Sequence, residues 1–252
     1  MSRRYDAIIV GAGIAGSALA HALSRIPYRR QLDILLLERS LAEPQRIVGE
    51  LLQPGGVGAL KDLDIVDALE NIGAIPVRGY GVVHGGKIVQ IPYPSGYEGR
   101  SFHHGRFVQA LREKAKKAKG VEVVEATVTE LVECPDSNRV IGVKVKQKGK
   151  DSSETYQADL TFIADGCSSN LRSAAMPNIM SRSSCKSYFF GVILEDVRLP
   201  LPQHGTVALI PGGGPVLMYQ IEEHDTRMLV DIKEPLPKDI KVSNHYTSHA
   251  LK

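Results

Sequence analysis

The chain has no tryptophan and only three cysteines, Cys134, Cys167 and Cys185, none of them in a CxxC pair. An odd number without ligand spacing argues against both a disulfide framework and a zinc site, and favours a reducing compartment. No run of eighteen apolar residues occurs, so no spanning helix is expected. The N-terminus, MSRRYDAIIVGAG, enters a strand directly, with no hydrophobic signal region before it. The chain is expected to be soluble as written. There is no long low-complexity stretch and no sequence repeat. The formal net charge is only +3. Basic residues cluster at Lys114, Lys116, Lys117 and Lys119, and at Lys144, Lys146, Lys148 and Lys150. Without interleaved aromatics these clusters read as a solvated helix face and a solvated hairpin edge, and no nucleic-acid partner is expected.

What is present is globular: 252 residues, 43% hydrophobic and 23% charged, enough for one large domain or two small ones. Tyr5 to Val10 is a short apolar run that reads as a buried strand. A glycine-rich turn and an Ala/Leu-rich helix over Ser17–Arg25 follow, with Pro27 ending the helix. Leu32–Leu37 reads as a second buried strand, which closes a βαβ unit. Val57–Leu69 has helical spacing. Tyr80–His84 and Lys87–Pro92 alternate around Gly85-Gly86, a two-residue hairpin signal. Arg106–Lys119 is amphipathic, with Phe107, Leu111 and Ala115 on one stripe. Val121–Cys134, Arg139–Gln147 and Tyr156–Ala164 read as a meander. Strands then dominate over Tyr188–Leu194, Thr206–Ile210, Pro215–Glu222 and Arg227–Lys233.

Gly11-Ala12-Gly13-Ile14-Ala15-Gly16 is a GxGxxG, and its context makes it informative: a strand precedes it, a helix follows, and the next strand ends in Glu38. Gly11 permits the tight turn, Gly13 lets backbone approach a pyrophosphate, and Gly16 lets helix and strand pack closely. Glu38 would accept hydrogen bonds from ribose hydroxyls. Its carboxylate would repel a 2′-phosphate, which argues against NADP here but does not separate NAD from FAD. His103-His104 invites a metal reading, but adjacent histidines face apart on a strand and no acid lies at ligand spacing, so no metal is expected.

Other segments separate the dinucleotides. Thr161-Phe-Ile-Ala-Asp165-Gly166-Cys-Ser-Ser169-Asn-Leu-Arg172 resembles the ADGxxSxxR segment of aromatic-hydroxylase-type flavin monooxygenases. Arg46-Ile-Val-Gly49-Glu50-Leu-Leu-Gln53-Pro54-Gly55-Gly56, Gln90-Ile-Pro92-Tyr-Pro94 and Gly99-Arg-Ser-Phe-His103-His104-Gly105-Arg106-Phe107 resemble the squalene monooxygenase (squalene epoxidase) family. So do Val216-Leu-Met-Tyr219-Gln220-Ile and Arg227-Met-Leu-Val-Asp231-Ile, and the resemblance runs from about Tyr5 to Ile240.

The resemblance implies a flavoprotein that inserts one oxygen of O₂ across a terminal double bond of squalene, giving (S)-2,3-oxidosqualene for sterol synthesis. Electrons would come from NADPH through a separate reductase, usually NADPH–cytochrome P450 reductase. The enzyme would sit at the endoplasmic reticulum membrane, on its cytosolic face. It further implies that Ile14 and Ala15 lie at the FAD pyrophosphate, with Glu38 and Arg39 at the adenosine ribose. Arg46, Leu51, Arg106 and Arg112 would lie on the cofactor side, Val128 on the strand lining the adenine, and Asp165 beside the pyrophosphate and ribityl chain. Tyr80 matches a tyrosine near the flavin ring at the substrate pocket, where its hydroxyl would act in catalysis by positioning a flavin-side group through a hydrogen bond; the alternative is simple packing at the start of a strand.

The implied fold is α/β: a Rossmann-like FAD-binding domain interleaved with a mainly antiparallel β-sheet substrate domain, the aromatic-hydroxylase-type flavin monooxygenase fold in incomplete form. The expected division is FAD-binding over 5–76 and 101–186, a sheet hairpin over 77–100, the substrate sheet over 187–240, and a disordered tail without family likeness over 241–252. Family members continue further, with a second flavin segment containing Gly-Asp and C-terminal hydrophobic helices, and many carry an N-terminal membrane segment. None of these occurs in this sequence. The expectation is therefore of an open cofactor site and of strands such as Val216–Ile221 left without a covering layer. The alternative is a catalytically incompetent, truncated flavin-binding isoform or fragment. An NAD-dependent dehydrogenase is disfavoured by the Asp165 segment and by the lack of a dehydrogenase-like catalytic pair.

Overall fold

The computed structural model describes residues 4–150, 152–178, 185–235 and 250–251. In chain order the elements begin with β1 (Arg4–Val10), α1 (Ile14–Ser24), β2 (Ile34–Glu38), β3 (Leu51–Leu52) and α2 (Pro54–Asp62). Then come β4 (Ile75–Val77), β5 (Gly79–His84), β6 (Lys87–Pro92), β7 (Gly99–Ser101) and α3 (His104–Lys117). The third stretch is β8 (Val121–Glu125), β9 (Thr127–Glu133), β10 (Val140–Lys146), β11 (Ser153–Ile163) and α4 (Arg172–Ala175). Last are β12 (Ser187–Glu195), β13 (Gly205–Ala208), β14 (Val216–Gln220), β15 (Asp225–Lys233) and β16 (Ala250–Leu251).

The chain divides into two compact units, one made of residues 1–43 and 108–181, the other of 44–107 and 182–252. The first is a six-stranded sheet in the order β8-β2-β1-β11-β10-β9. Its first four strands run parallel, and β10 and β9 add an antiparallel meander. Strands covered on both faces should read as unbroken apolar runs, and β1 and β2 do. Ile34 and Leu36 pack with Ala7, Ile9, Ala20 and Ala115 on one face. Leu35 and Leu37 pack with Ile8, Val10, Val143 and Val145 on the other. Val121–Cys134, read as one strand, is two. It breaks at Ala126, whose N–H bonds the Glu38 carbonyl at 2.8 Å. β8 thus ends beside β2, and β9 leaves to pair with β10.

The second unit holds a seven-stranded sheet, β16-β12-β15-β14-β13-β5-β6, and a small sheet, β3-β7-β4. The Gly85-Gly86 hairpin forms as read: His84 pairs with Lys87, and both glycines take positive φ, +54° and +74°. The helical spacing over Val57–Leu69 is not one helix. α2 stops at Asp62, Asp64 turns to φ +56°, and only a 3₁₀ turn at Val66–Leu69 follows. The left-handed residue interrupts a pattern that periodicity alone reads as continuous. Phe107 (1% exposed), on the predicted stripe of α3, stacks at 4.5 Å on Phe102.

Residues 44–76, expected with the nucleotide domain, belong to this second unit. Their attachments explain why: Glu50 is held by Arg227, and Ile47 packs within 2.9 Å of where a Cβ on Gly191 would stand. The strand expected to be uncovered, β14, is half-buried. Exposed aliphatics of this unit include Ile88, Val89 and Ile91, on the edge strand β6, and Val197, Leu209 and Ile210. Apart from β16, the expected tail over 241–252 lies outside the described residues.

Candidate functional site

In the first unit, β1 delivers the chain to a turn that only glycine can make. Gly11 has φ +101°, and a Cβ there would lie 2.5 Å from the Ala164 carbonyl oxygen and 2.8 Å from the Asp165 Cα. The residue is thus required both for its conformation and for passage beside the Asp165 segment. A Cβ on Gly16 would sit 1.8 Å from the Gly11 carbonyl oxygen, so turn and helix touch there. Gly13 differs, since a Cβ on it would meet nothing within 4 Å. It starts α1, whose N-terminus has no side-chain cap and no acid in its first turn, with Ile14 and Ala15 exposed. Free N–H groups, the positive helix end and clear space together form a cradle for a diphosphate.

Glu38, at the end of β2, turns onto this loop. Its Oε2 accepts from the Ala12 N–H at 2.8 Å and its Oε1 from the Ser40 N–H at 3.2 Å. Arg112 braces the same turn from α3, donating Nε to the Ala12 carbonyl at 2.8 Å and Nη1 to the Ala42 carbonyl at 2.9 Å. Its Nη2 lies 3.7 Å from Glu38 Oε2. Burial pushes the Arg112 guanidinium below its ordinary value, and Glu38 and Glu125 pull it back up. Asp165 follows β11, and its Oδ2 is buried without a protein partner. A buried carboxylate oxygen of that kind calls for a donor, such as a ligand hydroxyl. The open cradle at Gly13 and the orphaned Asp165 oxygen fit the phosphates and a hydroxyl-bearing part of a dinucleotide.

Arg39 is exposed just beyond β2. The Val128 side chain is 5% exposed and belongs to the core with Leu35 and Leu37, so any contact it makes with a nucleotide would come from backbone. Arg46, Leu51, Tyr80 and Arg106 belong to the second unit. Arg106, read as a cofactor contact, grips Glu222 with Nη1 at 2.5 Å and Nη2 at 3.2 Å, which holds that carboxyl below its usual range. His103 does have acidic partners, contrary to the sequence reading. Its Nε2 lies 2.9 Å from Asp225 and 3.4 Å from Glu222, residues that local spacing could not reveal.

His104 Nδ1 donates to the Gly49 carbonyl at 3.0 Å. Burial pushes this imidazole below its ordinary 6.5, with exposed Arg46 adding to the depression. The folded form thus binds fewer protons than the unfolded form just below pH 6.5. The stability His104 contributes is full above that pH and is lost as pH falls through the depressed value. We expect the urea midpoint to drop as pH falls below 6.5, and His104→Asn to flatten that slope. An unchanged slope would remove His104 from the account.

The second unit also holds a half-open cavity of about 240 Å³ whose wall includes Leu51, Gln53, Tyr80, Leu217, Met218 and Tyr219. Glu50 also lines it and is 1% exposed; Arg227, 3% exposed, grips it with Nε and Nη2, both at 2.8 Å. Tyr219 adds its hydroxyl to Glu50 Oε2 at 3.3 Å, and burial followed by the Glu50 charge drives its pKa upward. Sequence reading assigned no role to Glu50, Gln53, Tyr219 or Arg227. The available signals were an acid inside the apolar Ile47–Leu52 run and a cation in the alternating β15.

A family model described as squalene epoxidase matches residues 157–250, ten residues past where the motif resemblance was traced. A model described as an NAD(P)-binding Rossmann-like domain matches residues 9–41. The squalene epoxidase erg1 of Aspergillus fumigatus is 45% identical across 97% of this chain and 50% of its own length. Squalene epoxidase 3 of Arabidopsis thaliana is 42% identical across 98% and 46%. The squalene monooxygenase of Mus musculus is 40% identical across 94% and 41%. Among solved structures, a probable FAD-dependent monooxygenase from Pseudomonas aeruginosa, PqsL, superposes with TM-score 0.75 at 17% identity, covering 92% of this chain and 61% of that one. The myxobacterial chondrochloren halogenase CndH gives 0.77 at 18%, covering 92% and 53%. These two likenesses establish the fold, α/β with a Rossmann-like nucleotide unit and mixed sheets. By sequence, the chain is similar to squalene epoxidases over nearly its whole length, and it spans about half the length of the curated relatives it matches.

Proposed function

We propose that this chain carries the FAD-binding unit and the substrate-side sheet of a squalene epoxidase acting in sterol biosynthesis. The reaction places one oxygen of O₂ across a terminal double bond of squalene and gives (S)-2,3-oxidosqualene. The observation that carries this reading is 45% identity to a squalene epoxidase across 97% of the chain. The glycine cradle and the orphaned Asp165 oxygen support it, because they match the needs of a dinucleotide's phosphates and hydroxyls. FAD, when bound, supplies the activated oxygen, with electrons from NADPH through a separate reductase such as NADPH–cytochrome P450 reductase.

The chain's own residues do the rest. The N-terminus of α1 at Ile14 and Ala15 binds the diphosphate. Glu38 fixes the loop and faces the adenosine ribose beside Arg39, and Arg112 keeps the turn in shape from behind. Asp165 takes a hydroxyl of the cofactor. In the second unit, Arg46, Leu51 and Arg106 belong to the cofactor side. The cavity beside Tyr80 takes the terminal alkene of squalene in apolar surroundings, and Tyr80 serves it with its hydroxyl. The working location is the cytosolic face of the endoplasmic reticulum membrane. None of the helices among the described residues is long and apolar enough to cross a membrane.

The test is the purified chain with FAD, reductase, NADPH and squalene, with product read by mass. Oxidosqualene supports the reading. Bound FAD without product would withdraw the epoxidase reading from this chain and leave a flavin-binding chain without turnover, a reading motivated by its half-length span.

A further inference from the structure

Gln53, Tyr80 and Tyr93 form a hydrogen-bonded chain whose direction can be worked out. An amide has two different ends, Nε2 only donating and Oε1 only accepting. The Tyr93 hydroxyl donates to Gln53 Oε1 at 2.5 Å, and Gln53 Nε2 donates to the Tyr80 hydroxyl oxygen. Tyr80 therefore accepts in this contact, and its own proton is not consumed by it. The tyrosine rings are locked edge to face, with centroids 6.0 Å apart at 87°. Burial and then neighbouring Tyr80 hold the Tyr93 phenol above its ordinary value, which keeps it a donor. Gln53 and Tyr80 line the cavity of about 240 Å³, while Tyr93 lines a separate hollow with Arg78 and Glu98.

We propose that Tyr93 is a positioning residue: by donating to Gln53 Oε1 it fixes the direction of the Gln53 amide, and this leaves the Tyr80 proton free to be donated into the cavity. The consequence follows from the alternative. With no donor at position 93, the amide can turn over and present Oε1 to Tyr80. Tyr80 would then donate to Gln53, and its proton would be lost to the cavity. The group served by that proton would be an oxygen, whether of the reacting system or of an oxygenated end of the ligand. That last step rests on the epoxidase reading, whereas the amide direction does not.

The first arm of the test needs no turnover. Nuclear Overhauser contacts from the Gln53 side-chain amide protons should reach the Tyr80 ring in the wild-type chain and be lost or transferred to ring 93 in Tyr93→Phe. Unchanged contacts would overturn the proposal. The second arm is kinetic. Tyr93→Phe should lower kcat for squalene about five- to tenfold with little change in KM, the effect of redirecting one hydrogen bond. Adding Tyr93→Phe to Tyr80→Phe should cost nothing more, because both act through the same proton. Losses that multiply would assign Tyr93 a separate, structural role and overturn it. Should Tyr93→Phe fail to fold, Gln53→Glu replaces it. A carboxylate accepts from both tyrosines, consumes the Tyr80 proton, and should show the same loss, and full activity in that variant would contradict the proposal. If the wild-type chain makes no oxidosqualene, the epoxidase reading fails, while the amide contacts still decide the role of Tyr93.

Discussion

Arg227→Met should destabilise the chain by about 3–5 kcal/mol, a loss on the scale of a whole domain's stability. Arg227 and Glu50 are 3% and 1% exposed, and two hydrogen bonds of 2.8 Å join them. Removing the guanidinium leaves a carboxylate with almost no water and, among the described residues, only the Tyr219 hydroxyl bonded to it. The substitution also deletes both charge-assisted bonds while preserving most of the side-chain volume, so a cavity term contributes little. The ion pair itself need not stabilise the fold, because taking both charges out of water offsets much of their attraction. The double variant Glu50→Leu with Arg227→Met should therefore recover most of the loss. Urea denaturation of the four members of this cycle measures it. A single-variant loss below about 0.5 kcal/mol, the level of an ordinary surface change, would contradict the burial argument.

Gly16→Ala and Gly13→Ala should fail in opposite ways, though they are three residues apart in one motif. A methyl on Gly16 would stand 1.8 Å from the Gly11 carbonyl oxygen, a backbone atom that no rotamer change can move. Turn and helix must separate, at a cost at or above the upper end of the usual overpacking range of about 1–3 kcal/mol. A methyl on Gly13 meets nothing within 4 Å, and the residue has an ordinary extended backbone, φ −79°. That change should shift stability by less than about 1 kcal/mol, since alanine is only a poorer cap. It should instead lower FAD affinity about ten- to a hundredfold, because the methyl occupies the space through which the helix N–H groups reach a phosphate. Thermal denaturation and FAD titration on both variants separate the two effects. Equal destabilisation, or undiminished FAD binding in Gly13→Ala, would contradict these roles.

The nucleotide unit was legible because its rules are local. Gly11 and Gly16 each meet a steric condition imposed by neighbours within the βαβ segment or by one adjacent strand, and Gly13 keeps the space before the helix open. The hairpin at Gly85-Gly86 was legible for the same reason, since two residues of positive φ decide the register. The rest depended on pairs far apart in sequence. Glu50 and Arg227 stand 177 residues apart, and His103 and Asp225 stand 122 apart. No period or spacing announces such partners. The histidine reading missed its acids for that reason, and the pairing of Arg106 with Glu222, 116 residues away, was equally invisible. Asp64 misled differently: its left-handed turn cuts a helical period that the apolar pattern carries straight through.

The central claim is that the first unit grips the ADP half of FAD, and comparing FAD with FMN tests it most directly. Both carry the isoalloxazine ring and ribityl chain, but only FAD carries the adenosine diphosphate that the Gly13 cradle and Glu38 would hold. Titrating the purified chain with each flavin, with ADP as competitor, should show FAD bound far more tightly than FMN and displaced by ADP. Equal affinity for the two flavins, or FAD binding indifferent to ADP, would contradict the account.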